Sequence, residues 1–186
     1  MDNLTDEEIT LKVQAGDSES FGVLVSRYEA KMLRYAKKFL FGHDDAQDLA
    51  QDVFIKAYIH IQSFDPKQKF SSWLYRIAHN EFINAIKKKG REPIPIFDPD
   101  TFFPHPISTL NADDGIHKKD IADMMEKCLS TLNPKYREPL ILYYIEELDY
   151  KEIADIMRLP SSTVGVRLKR GKDMLKKAYD ALNPPV

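Results

Sequence analysis

The chain has 186 residues with a net charge of −2, and 43% of them are apolar and 30% charged. That composition supports a folded core in one large domain or two small ones, and excludes a wholly disordered chain. No stretch reaches the roughly 20 uncharged apolar residues needed to span a bilayer. The acidic start, Asp2 to Glu8, lacks the basic flank and apolar run of a signal peptide. A single cysteine, Cys128, excludes an internal disulfide and a multi-cysteine zinc site, and points to a reducing, cytoplasmic setting.

Thr5 and Glu8 have capping-box spacing and predict a short first helix. Gly16-Asp17 ends it and caps the next. Phe21, Leu24, Val25, Tyr28, Met32, Tyr35 and Phe39 recur on one face of a long amphipathic helix. Asp44 or Asp45 starts another, with Ala46, Leu49, Ala50, Val53, Phe54, Ala57, Tyr58 and Ile61 facing inward. Ser63 to Lys69, containing Pro66, reads as a loop. Ser71 or Ser72 opens a helix that runs to about Lys89. Residues 93–107 hold five of the eleven prolines, so about 91–116 is predicted to be an extended linker. Its Ile94, Ile96, Phe97, Phe102, Phe103 and Ile107 predict that it lies against something.

Ile121, Met124, Met125, Cys128, Leu129 and Leu132 mark the next helix. Asn133-Pro134 ends it and starts another, with Pro134 at the first helical position and Pro139 in its interior. Asp149 and Glu152 form a second capping-box pattern opening a short helix, 150–157. Leu159-Pro160 turns the chain, and Ser161 or Ser162 caps a last helix to about Ala181. Strand signals are absent. The expected fold is all-α: two small helical bundles, 1–90 and 117–186, joined by a Pro-rich acidic linker, 91–116.

Charge is segregated along the chain. Lys87, Lys88, Lys89 and Arg91 form one basic run, and Arg167, Lys169, Arg170, Lys172, Lys176 and Lys177 form a second. Residues 92–131 between them carry eight acids and three lysines. Two basic patches separated by an acidic stretch suggest two contacts with a polyanion.

Residues 149–176 have the proportions of a helix-turn-helix, whose second helix enters the major groove. Val164, Leu168, Gly171 and Leu175 share one face of that second helix. Ser162, Thr163, Val166, Arg167, Lys169 and Arg170 are expected on the opposite one, where hydroxyls and cations suit phosphates and arginines suit guanine edges. A basic amphipathic surface helix gives the same pattern. In the helix before the linker, Leu74, Ile77, Ala78, Phe82, Ala85 and Ile86 make a core face. Trp73, Arg76, Asn80, Asn84 and Lys87 form a separate arc of aromatic, amide and cationic groups, the parts needed to hold an unstacked single strand. Phe64, Lys69 and Phe70 add aromatic and basic groups in the preceding loop. Trp73 as a plain core residue is the competing account. Asp44, Asp48, Gln51 and Asp52 make an acidic stripe that suits a basic protein partner or simply solvent.

Enzyme chemistry finds no support in the motifs. His43, His60, His79, His105 and His117 lack metal-ligand spacing, and no phosphate-cradling glycine loop or nucleophile elbow is present. Cys128 lies on an apolar stripe, as a small buried hydrophobe would.

The segment Asp45-Ala46-Gln47-Asp48-Leu49-Ala50-Gln51-Asp52-Val53-Phe54-Ile55-Lys56-Ala57-Tyr58 resembles region 2.2 of bacterial sigma factors. Phe70-Ser71-Ser72-Trp73-Leu74-Tyr75-Arg76-Ile77-Ala78-His79-Asn80 resembles regions 2.3 and 2.4 of the extracytoplasmic-function group. Leu132 to Glu138, Tyr150 to Met157 and Thr163 to Gly171 resemble region 4. The resemblance implies a sigma factor, with no enzymatic activity and no cofactor, that directs promoter-specific initiation by core RNA polymerase. It implies polymerase docking through Asp45, Asp48, Gln51 and Asp52. Phe64, Lys69, Phe70, Ser72, Trp73, Arg76, Asn80, Asn84, Lys87 and Lys88 would read and hold the −10 element as melted strand. Ser161, Ser162, Thr163, Val166, Arg167, Lys169 and Arg170 would read the −35 element as duplex. It further implies promoter DNA and an anti-sigma factor as partners, no small-molecule substrate and no membrane insertion. Gly165 and Gly171 depart from the family pattern in the recognition helix, so the −35 sequence is not carried over. A stand-alone helix-turn-helix regulator is the alternative, and it would need a dimer surface to match a two-fold operator.

Overall fold

The structure, a computed structural model, describes residues 4–41, 45–88 and 118–183. The linker expected at 91–116 lies outside the described residues, as do Asp44, Lys89 and Arg91. Among the described residues there are eight α-helices and no strand: α1 Asp6–Gln14, α2 Phe21–Phe39, α3 Ala46–His60, α4 Phe70–Lys88, α5 Lys118–Ser130, α6 Pro134–Tyr144, α7 Tyr150–Met157 and α8 Ser161–Leu182. No described helix is long and apolar enough to cross a membrane. The chain divides into two compact units, Met1–Arg91 with Asp155–Arg158, and Glu92–Ala154 with Leu159–Val186.

In the first unit the Thr5 capping box closes as its spacing predicts. The Glu8 N–H donates to Thr5 Oγ1 at 3.2 Å, and the Thr5 N–H to Glu8 Oε2 at 2.8 Å. Gly16 ends α1 at φ +105°, a conformation that a side chain would strain. The Asp17 carboxylate then accepts from the Ser20 N–H and hydroxyl at 3.2 and 2.6 Å, capping a 3-10 turn over Ser18–Ser20. Those bonds hold the carboxyl below its usual pKa of 3.8.

α2 buries Phe21, Leu24, Tyr28, Met32, Tyr35, Ala36 and Phe39, close to the face its periodicity predicts, and packs against α3 and α4. The core is aromatic. Tyr35 meets Phe82 edge-on at 5.1 Å and stacks on Phe39 at 5.9 Å. α3 buries Ala46, Ala50, Val53 and Ala57. Tyr58, expected inward, is 45% exposed. It touches Phe21 edge-on at 5.1 Å, as an amphipathic phenol can while staying in contact with water.

α4 begins at Phe70, earlier than either serine predicts. The reason is a cap from outside the segment: Glu7 Oε1 in α1 accepts the Phe70 N–H at 2.9 Å. A donor left over at a helix start was satisfied by a carboxylate 63 residues away, which no local pattern encodes.

In the second unit Asn133 accepts the Lys135 N–H at 3.1 Å and Pro134 takes the first position of α6. α6 continues through Pro139 to Tyr144. The buried Arg137 donates to the Ser130 and Leu132 carbonyls, each at 3.3 Å, tying the end of α5 to α6. Asp149 and Glu152 complete the second capping box, with bonds of 2.8 and 3.0 Å. The serine cap expected for α8 is absent. Pro160 occupies that place in extended conformation, its carbonyl accepting from the Thr163 and Val164 N–H groups at 2.9 and 3.2 Å. α8 packs on α5 and α6. A Cβ on Gly171 would lie 3.0 Å from both the Tyr136 carbonyl oxygen and Leu140 Cδ1, so the helices cross closely enough that a side chain there would have to push a neighbour aside.

Candidate nucleic-acid interface

The outer face of α3 carries Asp48, Gln51 and Asp52, all exposed, with Asp45 half-exposed at its start. The same face continues as Ile55 and Ile59, 56% and 65% exposed, and Tyr58. These follow the acids at the three- and four-residue steps that share a helix face. Sequence reading passed over Ile55 and Ile59, although apolar residues in register with an acidic stripe were the available signal. A cavity of about 150 Å³ adjoins this face, lined by Val25, Leu33, Ala50 and Phe54 with Glu29, Gln47 and Gln51 at polar positions. An ion pair between Lys56 and Glu81 ties α3 to α4.

Lys69 is exposed in the turn before α4, and Asn80, Asn84, Lys87 and Lys88 are exposed along α4. Ser72, Trp73 and Arg76 are half-buried. Arg76 Nε is buried without a hydrogen-bond partner. Phe64 and Phe70, expected as aromatic surface, are instead 3% and 0% exposed. They form the centre of a ring cluster: Phe64 to Phe70 5.7 Å, Phe64 to Trp73 5.3 Å, Phe70 to Trp73 5.7 Å and Phe70 to Tyr28 5.7 Å. The hydrophobic effect takes the two uncapped phenyl rings inward and leaves Trp73, with its indole N–H, at the boundary.

Of the α8 residues expected at the −35 element, Ser161, Ser162 and Lys169 are exposed and Arg170 is half-buried. Thr163, Val166 and Arg167 are buried, at 1%, 3% and 8% exposure, against the expectation that they lie on the open face. The close crossing at Gly171 explains part of this. Arg167 and Thr163 lie only about 40° and 80° around the helix from it, inside the covered arc. Val166 is an apolar side chain removed from water. Exposed Ser162, Lys169 and Lys176 and half-buried Lys172 share one strip, within about 80°. Lys172 and Lys176 were legible from their three- and seven-residue steps from Lys169.

Comparison with known proteins places both units. Residues 24–92 match the family described as Sigma-70 region 2, and residues 122–175 the family described as Sigma-70, region 4. The chain is 34% identical over 174 residues to the ECF RNA polymerase sigma factor SigW of Bacillus subtilis (strain 168), covering 89% of this chain and 92% of that protein. It is 31% identical over 193 residues to the ECF RNA polymerase sigma-E factor of Escherichia coli (strain K12), covering 97% of each. The sigma factor RpoE from Bartonella quintana, solved in complex with the anti-sigma factor NepR, matches at TM-score 0.67 and 26% identity, covering 86% of this chain and 96% of that one. The chain therefore belongs to the ECF group of RNA polymerase sigma factors, which direct promoter-specific initiation of transcription.

Proposed function

We propose that this chain docks on core RNA polymerase through the outer face of α3, reads the −10 element as melted strand with the turn before α4 and with α4 itself, and reads the −35 element as duplex with α8. The exposed face of α4 carries this reading. Asn80, Asn84, Lys87 and Lys88 stand open beside half-buried Trp73 and Arg76. Amides that can pair with base edges, cations for phosphates and one aromatic edge share a rigid helix. Extruding a base costs a few kcal/mol, and stacking it on an aromatic returns ~1–3 kcal/mol. With Phe64 and Phe70 committed to the core, Trp73 is the stacking surface, and Phe64 and Phe70 act by holding it.

On α8, Ser161, Ser162 and Lys169 position phosphates and Arg170 reaches base edges. Thr163, Val166 and Arg167 support that helix from beneath. On α3, Asp45, Asp48, Gln51 and Asp52 match a basic partner, and Ile55 and Ile59 supply apolar area to the same contact. The chain contributes recognition to an enzyme that lacks it, acts in the cytoplasm, and works as two domains, 1–90 and 117–186, on either side of a linker at 91–116. The NepR-bound relative supports an anti-sigma factor as a further partner.

The test is run-off transcription by core polymerase plus this chain on a randomised promoter library, with start sites sequenced. Transcripts sharing two upstream elements at fixed spacing are expected. Starts no different from those of core polymerase alone would overturn the reading.

A further inference from the structure

α1 precedes the region matched to Sigma-70 region 2, which begins at residue 24. Its side chains nevertheless grip both ends of the turn that leads into α4. At the near end, the Gln14 side-chain amide donates to the Ile61 carbonyl at 2.8 Å and the Phe64 carbonyl at 2.9 Å. Both of its N–H groups are thereby used, and Gln62 donates back to the Gln14 carbonyl at 3.2 Å. At the far end, Glu7 accepts the Phe70 N–H at 2.9 Å. Between these points the turn has its own bonds, from the Lys67 N–H to Asp65 Oδ1 at 3.0 Å and the Gln68 N–H to the Asp65 carbonyl at 2.9 Å. α1 is itself fixed to α2, because Asp6 accepts from Arg27 at 2.6 Å and Tyr28 at 2.5 Å.

We propose that Glu7 and Gln14 are positioning residues for promoter reading: α1 is a strut that fixes residues 65–69, and with them Lys69 and the edge of Trp73, in the geometry that discriminates −10 bases. This rests on the reading of that turn and α4 as the −10 surface. Without these bonds the Phe64 carbonyl and the Phe70 amide would lose the partners α1 gives them, and the Ile61 carbonyl would keep only the Phe64 N–H at 3.1 Å, so the turn would sample more conformations. Each would have to be frozen out on binding, at a cost shared by right and wrong bases. A pre-set turn converts contacts with the correct base into discrimination.

The test uses holoenzyme assembled from core polymerase and the full chain. Open-complex formation is measured by permanganate reactivity on a promoter recovered from the library and on single-base −10 variants of it. The readout is the ratio between correct and altered promoter on the same preparation. That ratio does not depend on the fraction of folded protein, so a merely structural defect leaves it unchanged. Gln14→Glu replaces the two-fold donor with acceptors facing two carbonyls, and should lower the ratio about tenfold. Gln14→Ala should lower it less. Glu7→Ala should also lower it, and Glu7→Gln, which keeps an acceptor for Phe70, should restore it. An unchanged ratio in Gln14→Glu and Glu7→Ala, while Lys69→Ala or Asn80→Ala reduces it, overturns the strut alone. If Lys69→Ala and Asn80→Ala also leave it unchanged, the −10 reading of this surface falls and the strut falls with it.

Discussion

Two glycines six residues apart on α8 show how little the residue type alone determines. A Cβ at Gly171 would meet the Tyr136 backbone oxygen at 3.0 Å, an atom that cannot step aside. A Cβ at Gly165 would meet only Tyr150 Cε2, at 3.6 Å, an ordinary contact. Both substitutions gain about 1 kcal/mol of helix propensity. Gly165→Ala should therefore stabilise the chain by about that amount. Gly171→Ala should destabilise it by about 1–3 kcal/mol through overpacking. Urea unfolding of the two variants checks both signs. Tyr28 offers a residue-scale pH dependence. Burial first, then its bond to Asp6, push the phenol above its usual pKa of 10.0. The folded state thus holds this proton more tightly than the unfolded state. The stabilisation is complete below pH 10 and is lost above it, by about 1.4 kcal/mol per pH unit. Tyr28→Phe should be flatter than the parent in a stability profile taken from pH 9 to 11.

At the scale of elements, caps and tethers decide where helices start. Asp149→Ala should cost about 1 kcal/mol by opening the α7 capping box. Asp6→Ala should cost about 1–3 kcal/mol, because it removes the acceptor shared by Arg27 and the buried Tyr28 hydroxyl; denaturant midpoints measure both. The same contrast explains what the amino-acid order discloses. α2 is readable because seven apolar residues repeat at its own period. Both capping boxes are readable because their partners lie three residues apart. The start of α4 is not, since its cap is Glu7, and the grip of Gln14 on Ile61 and Phe64 spans 47 and 50 residues. Phe64 and Phe70 were misplaced for a different reason: a phenyl ring suits a stacking platform and a core equally, and only the neighbouring Tyr28 and Trp73 rings decide between them. Thr163 and Arg167 were misplaced because polarity suggested an open face, while both are buried on the side of α8 that carries Gly171.

For the whole molecule, charge is the organising variable. A net charge of −2 conceals exposed lysines on α4 and α8 and exposed acids on α3. Holoenzyme binding to promoter should weaken steeply with salt through counterion release. Replacing Lys87 and Lys88 together with alanine should reduce the slope of log affinity against log salt by about 2, uniformly across promoter sequences. Filter binding at several salt concentrations reads it. A slope unchanged within error would remove these two lysines from the interface.

Cys128 gives the molecule an internal clock. It is the only cysteine, it is fully buried, and burial pushes its thiol above the usual pKa. An alkylating reagent can reach the sulfur only when the bundle around it opens, so the labelling rate is the opening equilibrium multiplied by the rate for an unhindered thiol. The N-terminal bundle contains no sulfhydryl and stays silent. Alkylation in the presence and absence of each partner therefore reports how the C-terminal bundle breathes, with no engineered probe and no signal from its neighbour.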